Sequence, residues 1–87
     1  MKIKEGFILH KIADSYHVIA VGKAVKNFNG IINLNQTGAF LWEKLSIGAT
    51  EEELIKFLIS EYGIDIETAT SDVSKFTKGL KEAGLAE

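Results

Sequence analysis

The sequence predicts an α+β domain: a three-stranded antiparallel sheet over about residues 5–34, followed by three α-helices over about residues 36–84. One observation is a single change of period. Before residue 34 the apolar residues fall in short β-branched and aromatic runs, and after it they recur at steps of three and four. A second is where the change occurs. In Leu34-Asn35-Gln36-Thr37-Gly38-Ala39-Phe40-Leu41-Trp42-Glu43-Lys44-Leu45, a strand-like run, Ile31-Ile32-Asn33-Leu34, stops at Asn35. The short side-chain oxygen of that Asn suits it to cap the free N–H groups of a new helix. Leu41, Trp42 and Leu45 then share one helical face.

The first two strands are Phe7-Ile8-Leu9-His10-Lys11-Ile12 and Tyr16-His17-Val18-Ile19-Ala20-Val21, with turn chemistry in Ala13-Asp14-Ser15 between them. Two registers are open. A three-residue loop pairs Ile12 with Tyr16 and puts Ile8, His10, Ile12, Tyr16 and Val18 on one face. A two-residue loop, Asp14-Ser15, puts His10 and His17 on the same face, because a one-residue slip inverts every side chain. In both, each face carries apolar groups, so one face is expected to touch something besides solvent. Gly22 to Gly30 reads as a connection with some strand character at Ala24-Val25. Asn29-Gly30, both tolerant of positive φ, reads as the turn into the short third strand. That strand is expected at an edge, where unpaired N–H and C=O groups are offered to another chain.

In the helical half, Thr50 and Glu53 have the spacing of a capping box, and Glu51, Glu52 and Glu53 complement the positive end of the helix dipole. Three adjacent solvated carboxylates have no opposed environments to separate their pKa values, so capping is preferred to catalysis. The second helix is predicted to run to about Tyr62 with Leu54, Ile55, Leu58 and Tyr62 inward, and to end at Gly63. Asp65 is the expected N-cap of the third helix, whose apolar seam is Ile66, Ala69, Val73, Phe76, Leu80 and Ala83. Gly84-Leu85 reads as its stop, with a hydrophobic return contact. Gly79, inside this helix, costs about 1 kcal/mol relative to Ala and is read as a tolerated cost rather than as the close approach of another backbone.

Composition narrows the function classes. The 87 residues make one domain with a modest core, and the hydrophobic share of 46% suffices for a globular fold. No apolar run approaches the roughly 20 residues of a membrane span, and no signal peptide is read. Absence of cysteine excludes disulfides and thiolate metal sites and fits a cytoplasmic setting. The net charge of −2 is uneven: residues 1–44 hold six Lys against three acidic groups, and residues 45–87 four Lys against nine. All ten basic residues are Lys, so the planar Arg fork favoured for phosphate and guanine is missing, which argues against nucleic acid.

Catalytic constellations are not found. His10 and His17 lack a third ligand for catalytic zinc and are read as ordinary strand residues. Neither a nucleophile elbow nor a Gly-rich phosphate loop occurs. Asn35-Gln36-Thr37 fits the glycosylation pattern but is read as helix capping. Trp42 is placed in the core, whereas Phe40 points to one side as a candidate exposed apolar contact. Nothing here is organised for chemistry: no catalytic, cofactor or metal residue is assigned, and the chain reads as a binder.

The run Gly30-Ile31-Ile32-Asn33-Leu34-Asn35-Gln36-Thr37-Gly38-Ala39-Phe40-Leu41-Trp42, then Gly48-Ala49-Thr50-Glu51-Glu52, then Asp72-Val73 with Phe76, Leu80 and Gly84-Leu85, resembles the PqqD family. These are the small proteins of pyrroloquinoline quinone biosynthesis and their relatives, the peptide recognition elements of ribosomal-peptide (RiPP) modification pathways. The similarity covers essentially residues 5–87, and it rests on the order and spacing of the motifs. Thr77 stands where the family often has a bulky apolar residue.

What the resemblance implies is a winged-helix-like fold. It also implies a non-catalytic protein that binds the leader of a precursor peptide as an added strand between the third strand and the third helix. The partner receiving the peptide would be a modifying enzyme, commonly a radical S-adenosylmethionine (radical SAM) maturase. Carried over, the site is Ile31, Ile32, Asn33 and Leu34 on the strand and Ala69, Asp72, Val73, Phe76 and Gly79 on the helix. No cofactor, membrane or nucleic acid is implied, and the expected state is a monomer or weak dimer. The alternatives are a winged-helix DNA-binding regulator, a generic protein-interaction module and a small enzyme. Against the first, the third helix sets Asp65, Glu67, Asp72 and Glu82 against Lys75, Lys78 and Lys81, where such a regulator needs a basic recognition helix. Against the last, no nucleophile, base or metal set is found.

Overall fold

The computed structural model describes residues 2–26 and 31–86. Strand β1 (Phe7–Ile12) pairs antiparallel with β2 (Ser15–Ala20), and β2 with β3 (Ile32–Leu34), in the order β1-β2-β3. Helices α1 (Gln36–Ser46), α2 (Glu51–Tyr62) and α3 (Ile66–Glu82) follow. A three-stranded antiparallel sheet followed by three helices is therefore the observed architecture, with β3 at an edge.

The hairpin has a two-residue loop, but one residue earlier than Asp14-Ser15. Ile12 pairs with Ser15, so Ala13-Asp14 forms the turn, and Ala13 takes a positive φ of 54°. His10 faces His17 directly, and the two share a face as the two-residue alternative required. Phe7, Leu9, Tyr16, Val18 and Ala20 thereby line the inner face, where Val18 is fully buried. Ile8, His10, Ile12, His17 and Ile19 line the outer one. The strand character expected at Ala24-Val25 is absent, and Gly22–Lys26 instead forms a short 3₁₀ turn. That turn packs against Gly6, which has a φ of 94° and where a Cβ would stand 2.6 Å from the Ala24 Cβ. The expected turn at Asn29-Gly30 lies outside the described residues.

Every helix start predicted from capping chemistry is present. Asn35 Oδ1 accepts from the Gly38 N–H at 2.8 Å, and Asp65 Oδ1 from the Thr68 N–H at 2.7 Å. Thr50 and Glu53 form the reciprocal box, with N–H bonds of 3.1 and 3.0 Å. Gly63 closes α2 in the left-handed conformation. Gly84, at φ 80°, turns the chain so that the Leu85 N–H reaches the Leu80 carbonyl at 2.8 Å and the Leu85 side chain is buried. The N-terminal segment then joins this end, as the Lys4 N–H donates to the Leu85 carbonyl at 2.9 Å.

Leu41, Trp42, Leu45, Leu54, Leu58, Ala69, Val73 and Leu80 meet Val18 in one core. Two expectations are corrected. Ile66 is 66% exposed and Ala83 is also exposed, while Thr77 is buried. The buried face of α3 steps 69, 73, 77, 80, nearer the true helical period than the alternating threes and fours of the apolar seam, so it drifts onto Thr77 and leaves Phe76 half-buried at its margin. Tyr62 is half-exposed at the end of α2, its ring edge-on to Phe40 with centroids 5.6 Å apart. Phe40 is thus partly covered rather than a free contact, and Lys44 lies over both Phe40 and Phe57.

Three stability outcomes follow from these contacts. Trp42→Ala should destabilise by about 3–5 kcal/mol, read from chemical denaturation, since it removes the largest side chain of the core. Thr50→Ala should cost about 0.5–2 kcal/mol in the same measurement by breaking the capping box. The carboxyl of Asp65 is held below its usual range, first by the Thr68 N–H bond and then by the Thr68 side chain. The charged form therefore contributes stability above the unfolded-state carboxylate pKa, and that contribution is lost as pH falls through the lower folded-state value. Asp65→Asn, which still caps, should flatten that acid limb of a stability–pH curve.

Candidate functional site

The alternation of ladder bonds decides which groups of β3 are open. The Val21 N–H donates to the Gly6 carbonyl at 2.7 Å, so in this register Gly6/Val21, Ile8/Ile19, His10/His17 and Ile12/Ser15 are the bonded pairs. Tyr16 and Val18 then direct their backbone groups to β3, bonding Leu34 and Ile32. The N–H and C=O of Asn33 point the other way, to the open edge. Of the four strand residues singled out from the sequence, Asn33 is the one in β3 whose backbone is free to pair with a further strand.

Their side chains divide the same way. Ile32 and Leu34 are half-buried against the core, while Asn33 lies on the outer face with the 63%-exposed Ile31 preceding it. Asn33 stands opposite His17 in the non-bonded position, where side chains approach closely, and His17 Nδ1 lies 2.6 Å from Asn33 Oδ1.

On the inner side, where β3 gives way to α1, a cleft of about 230 Å³ opens toward α3. Asp72 and Phe76, both expected, line it together with Lys75 from α3 and with Asn35, Thr37, Gly38 and Leu41 from the β3–α1 junction. Leu41 and Phe76 supply an apolar surface, while Asp72 and Lys75 put one charge of each sign on the same helix. Gly38 matters for its size: a Cβ there would sit 3.2 Å from Asn35 Oδ1 and 3.4 Å from Leu34 Cβ.

The other expected helix residues are placed elsewhere. Ala69 and Val73 are enclosed in the core, and Gly79 is exposed with open space where a Cβ would stand. The tolerated-cost reading of Gly79 thus fits the structure. Thr77 faces α2, its hydroxyl within reach of the Glu51 carboxylate at 3.1 Å and the Ser74 carbonyl at 3.2 Å. Lys75, Thr37, Gly38 and Leu41 were not singled out from the sequence as site residues. The Asn-Gln-Thr-Gly run contains two of them, but it was read as a helix start and as part of the family resemblance, not as a site.

Among the described residues, no three His, Asp or Glu come together as a metal site, and no helix is long and apolar enough to cross a membrane.

The fold is similar to two solved structures. One is TbiB1 in complex with the TbiA(beta) leader peptide, with a TM-score of 0.81 and 24% identity over 100% of this chain and 95% of that one. The other is lasso peptide synthetase B1 complexed with the leader peptide, with a TM-score of 0.78 and 22% identity over 99% and 95%. No curated protein sequence matches this chain. The family model of Coenzyme PQQ synthesis protein D (PqqD) matches residues 8–86, which takes in all of the sheet but Phe7 and all three helices, and the chain therefore belongs to the PqqD family.

Proposed function

We propose that this chain is a non-catalytic binder of the leader segment of a ribosomally made precursor peptide, which adds as a strand to β3 along the cleft toward α3. The observation that carries this reading is the open edge at Asn33 together with a cleft at the β3–α1 junction lined by Asp72, Lys75, Phe76 and Leu41. Main-chain bonds to an edge supply affinity that is indifferent to sequence, and pockets for alternate side chains supply selectivity. Family membership and the leader peptides bound in the two similar structures support it. The bound leader would be presented to a peptide-modifying enzyme, with a radical SAM maturase as the class the family suggests. Burial of Ala69 and Val73 concentrates the helix side of the site on Asp72, Lys75 and Phe76.

Hydrogen exchange with the leader of a precursor peptide encoded beside the gene tests this. The Asn33 amide should gain protection on binding, whereas Ile32 and Leu34, already paired with β2, should change less. Asp72→Ala should weaken binding about tenfold without loss of cooperative unfolding. Protection confined to residues 51–62 would place the site elsewhere.

A further inference from the structure

A strand added to β3 has two faces, and the cleft can read only one of them. Whichever direction the peptide runs, the residue facing Asn33 across the open edge puts its side chain on the outer face, beside the Asn33 amide. That amide is held in place. His17, opposite on β2, sets Nδ1 2.6 Å from Asn33 Oδ1. In the tautomer that carries its proton on Nδ1, that oxygen is engaged while the two N–H donors of the same amide are left for another acceptor.

The surroundings select among acceptors. The outer face of the described sheet carries Ile8, His10, Ile12, Ser15, His17, Ile19 and Asn33, which include two imidazoles and no carboxylate. A negative group placed there meets the amide donors of Asn33 and no like charge. Hydrogen bonds to an ionised acceptor are roughly twice as strong as those between neutral groups.

Resting on the strand-addition reading above, we propose that Asn33 is a specificity-determining residue on the outer face of the sheet. Oriented by His17, it selects an acidic residue, Asp or Glu, at the leader position facing it. His17 is a positioning residue in this arrangement. It touches the amide and not the ligand.

The test is selection of a phage-displayed library of random peptides on the folded protein, followed by affinity measurements on synthesised winners. The wild-type consensus should carry Asp or Glu at one position, and changing that residue to Ala should weaken binding about tenfold or more. Asn33→Val should bind the acidic and Ala peptides alike, which closes a double-mutant cycle on this pair. Asn33→Asp should move the consensus to Lys or Arg at the same position, a gain that loss of fold cannot imitate. His17→Leu should lose the acidic preference while still binding the Ala peptide, and His17→Gln, which retains a donor, should restore it. A consensus unchanged in Asn33→Asp, or a wild-type consensus of Lys or Arg there, overturns this proposal and leaves leader binding standing. Failure to select any peptide overturns strand addition itself, and the proposal with it.

Discussion

The direct passage from β3 into α1 is the constraint on which the rest of this structure depends. Leu34 ends the strand, and Asn35 immediately caps the helix by accepting from Gly38. No loop intervenes, so the direction of α1 is tied to that of the strand. The absence of a side chain at Gly38 lets the first turn of α1 lie against Leu34. Leu41, Trp42 and Leu45 are then committed to the inner face of the sheet, where they meet Val18. The same junction leaves β3 paired on one side only, beside a cleft. Core and candidate site therefore share one piece of local chemistry.

The helical half is built on caps and then locked by packing. Asn35, Thr50 and Asp65 each satisfy N–H groups that would otherwise lack partners, and Gly63 and Gly84 reverse the chain where a side chain would be strained. These local devices determine where the helices begin and end but not how they meet. The meeting is apolar, with Leu54 and Leu58 of α2 against Ala69, Val73 and Leu80 of α3. Thr77 enters that interface because its hydroxyl finds the Ser74 carbonyl and the Glu51 carboxylate, so a polar atom is buried without being orphaned. A bulky apolar residue at this position would face α2 as Thr77 does, and would not reshape the cleft.

For the proposed role, the division of the edge into two faces is what matters. Ile32 and Leu34 are half-buried against the core, which leaves only part of each side chain for a ligand. The groups that remain are the Asn33 backbone, the Asn33 amide on the outer side, and Asp72, Lys75 and Phe76 on the cleft side. An ordered scaffold presenting a few unsatisfied backbone groups is the arrangement strand addition requires.

Much was legible before any coordinates, because it is local. Asn35, Thr50 with Glu53, Asp65, Gly63 and Gly84-Leu85 announce their roles through interactions within a few residues. The β-branched runs and the three-four spacing announce sheet and helix. The hairpin register was not legible: both faces of Phe7–Ile12 and Tyr16–Val21 are apolar enough to be buried, and the positive φ of Ala13 has no sequence signature. Ile66 was misread as buried and Thr77 passed over, because an apolar seam records composition, while burial records which helix lies opposite. Local chemistry determined that this chain has a strand ending in a capped helix. Only the tertiary structure decided that Asn33 faces outward with its backbone free and that Asp72, Lys75 and Phe76 line a cleft with the β3–α1 junction, since both depend on ladder register and helix packing between residues far apart in sequence.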